Sequence, residues 1–163
     1  QKAAGPQGMF RRRMSVRTMT EVSFHFNVAD RLSYACRLLR KATRKGAKVA
    51  VVASTPTLSA LDRVLWTFEA TEFVPHIRLA PGAVPAARLR ATPIWLLEAA
   101  ADAPDHDVLL NLAQDVPAGF ERFDRIIEIV STTEAERETG RERWKHYAGR
   151  GYPITRHQAS PDA

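Results

Sequence analysis

Apolar residues fall on alternate positions in residues 21–27, with Val22, Phe24 and Phe26 on one side, the pattern of a half-buried strand. The period then changes. Leu32, Ala35, Cys36, Leu38, Leu39 and Ala42 recur at helical spacing to about Lys45, with Asp30 as N-cap, Gly46 as stop, and Arg37, Lys41, Arg44 and Lys45 on the opposite face. Residues 48–54 (KVAVVAS) form a continuous apolar run, as in a strand covered on both faces of a parallel sheet. Strand, helix and strand make a βαβ unit, for which a right-handed crossover is the rule.

A second helix is predicted over residues 57–67, with Leu58, Leu61, Val64 and Leu65 inward, ahead of Phe73-Val-Pro-His76. Residues 80–92, rich in proline and alanine, lack a period and read as a loop or edge segment. Strands are predicted at 93–97, 107–112 and 125–130, with a short turn or helix at 120–123 leading into the last. Thr132 or Thr133 then caps a final helix whose first turn holds Glu134 and Glu136. Beyond Gly151 the pattern ends, and residues 153–163 read as a flexible tail. The expected architecture is a single three-layer, Rossmann-like α/β domain over residues 19–152, with a largely parallel or mixed central sheet and helices on both faces.

At 163 residues, 45% hydrophobic and 26% charged, the chain has the composition of an ordinary globular domain. Its net charge of +6 would point to nucleic acid, but Lys2, Arg11, Arg12, Arg13 and Arg17 supply most of it without a balancing acid. Residues 19–163 hold 19 bases against 18 acids, so the expected domain is nearly neutral. The first 18 residues read as a disordered basic extension, with Met19 as the expected native start. Cys36 is the single cysteine, which rules out an intrachain disulfide and points to a reducing cytoplasm. No apolar run approaches the ~18 residues of a membrane span.

An α/β fold raises the question of a nucleotide enzyme, but the phosphate-binding signatures are missing. The turns after the first two strands, Asn27-Val-Ala-Asp30 and Ser54-Thr-Pro-Thr57, lack the glycines that let backbone amides approach a pyrophosphate. Ser54 and Thr55 sit where such a sheet presents its ligand edge, or simply cap the next helix. His25, His76, His106, His146 and His157 form no metal-ligand spacing, and Asp102, Asp105 and Asp107 read as a solvated turn in preference to a cation loop. Cys36, on an apolar helix face, reads as an inert core thiol. No cofactor or metal is expected.

What remains is the run Arg141-Glu-Arg-Trp-Lys-His-Tyr-Ala-Gly-Arg-Gly-Tyr152. At about 100° per residue, Arg137, Arg141, Trp144 and Ala148 share one face of a helix, with Lys145 and Tyr147 on its flanks. The run is either a solvated helix anchored by its aromatics or a binding face for a ligand with carboxylates and an apolar group, since arginine takes carboxylate bidentately and indole offers flat contact area.

The chain resembles the chi subunit family of bacterial DNA polymerase III holoenzyme, the clamp-loader accessory subunit, over most of residues 20–152. The resemblance is carried by Leu65-Trp66 with Phe73-Val-Pro-His76, by Ile126-Ile-Glu-Ile-Val130, and above all by Arg141-Glu-Arg-Trp-Lys-His-Tyr147 with Gly151-Tyr152. The family usually has tyrosine at Trp144 and lysine at Arg137. The resemblance implies a non-enzymatic adaptor, cytoplasmic and working at replication forks, that binds the acidic, aromatic-ended C-terminal tail of single-stranded DNA-binding protein. Val130, Arg137, Arg141, Trp144 and Lys145 would form the tail site, with Tyr147 in support. Phe73 would face the psi subunit, the link to the clamp loader. Two rivals stay open: a direct nucleic-acid binder using Arg37, Lys41, Arg44 and Lys45, and a degenerate nucleotide-binding enzyme.

Overall fold

The computed structural model describes residues 19–67, 73–103 and 106–160. The basic extension 1–18, Asp105 and residues 161–163 lie outside that set. Seven strands form one sheet: β1 (Glu21–Val28), β2 (Val49–Val52), β3 (His76–Arg78), β4 (Ile94–Leu97), β5 (Val108–Asn111), β6 (Arg125–Ser131) and β7 (Ile154–Gln158). Their order is β3-β4-β2-β5-β6-β1-β7, and every pairing is parallel. Helices α1 (Arg31–Arg44) and α2 (Thr55–Thr67) pack on one face, and α3 (Glu134–Gly149) packs on the other.

The strands supply both cores by alternation. Val49, Val51, Ile94, Leu96, Leu110 and Ile129 meet α1 and α2, while Ala50, Val52, Trp95, Leu97, Leu109, Ile126 and Val130 meet the α3 side. This double covering is why the central strands read as unbroken apolar runs. Leu58, Leu61 and Leu65 of α2 are buried, as are Ala35, Cys36 and Leu39 of α1. Burial also pushes the Cys36 thiol up to about 11, with Asp30 adding to the shift, which keeps it protonated at neutral pH.

Local signals set the helix ends. The Asp30 carboxylate accepts from the Ser33 amide at 3.2 Å, and Gly46 adopts φ +80° just past the end of α1. Thr133, rather than Thr132, caps α3: its hydroxyl accepts from the Glu136 amide, while the Glu136 carboxylate reaches back to the Ser131 amide. Helix α2 starts at Thr55, two residues earlier than its apolar pattern. Its polar first turn hid that start from periodicity.

Residues 154–158 are a correction to the expected flexible tail. They form β7, pairing in parallel with β1 from Val22↔Ile154 to Phe26↔Gln158. An edge strand with only Ile154 half-buried and four exposed residues carries no apolar alternation, so its pairing is invisible in the sequence. The three-residue strand β3, at the other edge, has the same cause.

One ion pair crosses the α3 core. Glu128 of β6 is fully buried and accepts from Arg143 Nε at 2.7 Å, from the Tyr147 hydroxyl at 2.6 Å and from Asn111 Nδ2 at 3.0 Å. Arg143 also donates to the Gln114 carbonyl at 3.0 Å. Burial pushes the Glu128 carboxyl above the usual carboxylate range, while Arg143, Tyr147 and Asn111 pull the other way. Burial and the Glu128 carboxylate also raise the Tyr147 hydroxyl above its ordinary value.

Two outcomes are expected. Arg143→Ala leaves a carboxylate stranded in the core and lowers stability by about 3–5 kcal/mol, read by urea denaturation. A loss within experimental error of zero would show that α3 does not depend on this pair. His25 gives a pH dependence, since burial foremost, then His157, Arg125 and Lys41, lower its value from 6.5 to about 4. The folded chain keeps the ring neutral, so this contribution is whole above pH 6.5 and fades as pH falls from 6.5 towards 4. Allowing for its partial exposure it is worth about 1 kcal/mol. Thermal melts across that range should show the decline, and His25→Gln should flatten it.

Candidate functional site

Strands β1 and β6 are neighbours, yet the chain leaves β1 for a helix on one face and β6 for a helix on the other. At such a switch point the carboxyl ends of the strands diverge from their connections and leave a crevice. Arg31, at the start of α1, spans it: Nη1 pairs with Glu136 of α3 at 2.7 Å, and Nη2 donates to the Leu112 carbonyl at 2.9 Å. Beside that bridge, on the α3 side, a cavity of about 510 Å³ opens at the carboxyl ends of β1, β6 and β7.

Its wall on one side is α3. Arg137, Gly140, Arg141, Trp144 and Lys145 line it at spacings of three and four residues, and Val130, Ser131, Phe26, Asn27, Arg156 and Gln158 complete the lining. Gly140 explains how low α3 sits on β6: a Cβ there would lie 2.9 Å from Val130 Cγ2. The half-buried Trp144 indole packs on Phe24 and Phe26, with ring centroids 5.1 and 6.0 Å apart. Asn27 holds φ +62°, a left-handed conformation that asparagine tolerates better than most residues, at the cavity lip.

The cations are available. Arg141 meets Glu134 at 3.4 Å and Lys145 meets Glu142 at 3.7 Å, both among well-exposed side chains. Such pairs are worth little and give way to a better-placed anion. An apolar and aromatic floor between cations can take a carboxylate and a ring together.

Of the six residues expected to form the tail site, Val130, Arg137, Arg141, Trp144 and Lys145 line this one cavity. Tyr147 does not: it is fully buried beneath, with its hydroxyl on Glu128. Sequence reasoning missed Arg156 and Gln158, which come from the unforeseen β7, and Asn27. Phe26 was visible as an apolar position but not as part of a site.

Phe73 lies elsewhere, at the far edge of the sheet ahead of β3. It is 52% exposed and packs against Trp66, 61% exposed, with ring centroids 4.9 Å apart. His76 underlies both rings and is held by Asp62 at 2.9 Å and by the Val74 carbonyl at 2.7 Å. The result is an apolar patch on a fixed base.

Other candidates are spent locally. Thr55 donates to Glu98, Ser54 to Thr57, and Asp102 and Asp107 accept from the backbone amides of Gly82 and Lys48. Among the described residues no three His, Cys, Asp or Glu side chains come together as metal ligands, and no helix is long and apolar enough to cross a membrane. On α1, Arg37 lies over the Tyr34 ring at 5.7 Å, half-buried instead of standing in a solvated row.

Fold and site together define an open, all-parallel α/β domain with a cationic, aromatic-walled cavity at the carboxyl ends of its strands, the usual ligand edge of such a sheet. The chain matches the DNA polymerase III chi subunit (HolC) over residues 19–155. It is 31% identical over 145 residues to DNA polymerase III subunit chi of Pseudomonas aeruginosa, covering 86% of this chain and 97% of that protein. With the subunit chi of Haemophilus influenzae it shares 30% identity over 125 residues, 74% of this chain and 82% of that one. The chain belongs to the DNA polymerase III chi subunit family, an accessory subunit of the replicative polymerase holoenzyme. A solved structure of Mss116p DEAD-box helicase domain 2, bound to an RNA duplex, shares the fold at a TM-score of 0.57. It is 14% identical, and the match spans 87% of this chain and 64% of that one, a likeness of fold alone.

The close approach of Gly140 to Val130 has a testable consequence. Gly140→Ala overpacks the α3–β6 contact and costs about 1–3 kcal/mol in chemical denaturation. Adding Val130→Ala should recover part of that loss; strictly additive losses would show that the two residues do not meet.

Proposed function

We propose that the protein is a non-catalytic adaptor that joins single-stranded DNA-binding protein to the clamp loader at replication forks in the cytoplasm. Its cavity at the ends of β1, β6 and β7 takes the acidic, aromatic-ended C-terminal tail of that protein. The observation that carries this reading is the α3 row of Arg137, Arg141 and Lys145 flanking Val130 and Trp144 around one cavity, in a chain of the chi family. The tail's last ring would lodge against Val130 and Trp144, both of which line the cavity. Its terminal carboxylate would exchange with the Glu134 and Glu142 contacts of Arg141 and Lys145.

The second contact is the Trp66–Phe73 patch, which fits the psi subunit. Its two exposed rings offer an aromatic anchor of the kind that dominates interface energy once a partner buries it. It lies towards the β3 edge of the sheet and the cavity towards the β7 edge, so both partners can bind at once.

A short peptide on this site binds with a Kd on the order of micromolar. Affinity falls with added salt, because the cations are exposed. Arg141→Ala costs about 1.5–3 kcal/mol of tail binding by calorimetry, as expected for a charge-assisted hydrogen bond. Unchanged affinity would remove Arg141 from the site. Phe73→Ser should abolish co-purification with psi and leave the tail titration untouched; loss of both together would mean that the two faces are not independent.

A further inference from the structure

The cavity has two cationic sides. Arg137, Arg141 and Lys145 rise from α3 as one row, and Arg156 comes from β7. The Arg156 side chain is held differently from Arg141 and Lys145. Its guanidinium carbon lies over the Phe26 ring at 5.2 Å and over the Trp144 ring at 5.7 Å. Among the described residues no acidic side chain pairs with it, whereas Arg141 and Lys145 each have one.

These contacts orient a guanidinium without using its N–H donors. The rings remove water from one face of the cation and cut its rotameric freedom, while its edge remains free for a bidentate carboxylate. Pre-orientation lowers the entropic cost of pairing, and partial desolvation strengthens the bond formed. Arg156 is therefore set to read a second anionic group, across the aromatic floor from the α3 row.

We infer that Arg156 is a specificity-determining residue of the cavity: it pairs with an acidic side chain upstream of the tail's last residue, while the α3 row holds the terminal carboxylate. This rests on the tail-binding reading above. The division follows from the chain geometry of a peptide. The last residue carries both the ring and the terminal carboxylate, so these stay together beside α3. An acidic residue further up an extended tail is displaced by about 3.3 Å per position and reaches the β7 side. The cavity thereby selects tails in which acid precedes the apolar end, and not any peptide with a free C-terminal phenylalanine.

The test uses the full chain and two synthetic peptides with a free C-terminal phenylalanine, one with aspartates upstream and one with asparagines in their place. Fluorescence anisotropy of wild type, Arg156→Gln, Arg156→Lys and Arg141→Ala is compared. Arg156→Gln should weaken the aspartate peptide about tenfold, the loss for one charge-assisted pair, and leave the asparagine peptide unaffected. Arg156→Lys should lose most of that tenfold, because an ammonium has neither the fork nor the flat face; Arg141→Ala should weaken both peptides. Equal losses for both peptides on Arg156→Gln, or full affinity in Arg156→Lys, would overturn the assignment. If wild type binds neither peptide, the tail-binding reading fails and this inference with it. If wild type binds and Arg156→Gln behaves identically, only the role of Arg156 falls.

Discussion

The buried pair of Glu128 and Arg143 is the constraint on which the rest of the α3 side depends. A carboxylate at the centre of a sheet face costs several kcal/mol unless its partners are supplied at once, and here a guanidinium, a phenol and an amide supply them. Two of the three come from one helix, at positions 143 and 147. That fixes the rotation of α3 about its own axis. With Arg143 and Tyr147 turned into the sheet, the Arg137, Arg141, Trp144 and Lys145 side of the helix faces the cavity and solvent.

The same helix thus uses arginine in two opposite ways. Arg143 is a structural cation, nearly all of its surface lost to the core, whereas Arg141 stays in water with only a loose partner. Helix α3 has no clean apolar stripe because one of its inward positions is charged. Its height above β6 is set separately, by Gly140 resting on Val130. Rotation and depth together place the row of cations over the ends of β1 and β7, where the diverging connections of β1 and β6 leave room for a ligand.

Much of the fold was legible. The alternation of Val22, Phe24 and Phe26, the apolar run of β2, and the helical spacing of Leu58, Leu61 and Leu65 are each dictated by which faces must be dry. Five residues that line the cavity lie on one helix and the strand before it, within reach of sequence reasoning because helical periodicity gathers local residues onto a face. Arg143 went unrecognised for the converse reason: arginine at a core-facing position defies the pattern, and only its distant partner Glu128 makes it tolerable.

The amino-acid sequence by itself determined what depends on neighbours along the chain: the cap at Asp30, a threonine cap at 132 or 133, the strand and helix periods, and the cationic, aromatic character of residues 137–147. The tertiary structure alone decided the relations between distant segments. It turned residues 154–158 into an edge strand beside β1, and so brought Arg156 across from α3 to lie on Phe26 and Trp144. Edge pairing is made by backbone groups common to every residue and needs no apolar signature, so nothing in the composition of that segment announces it.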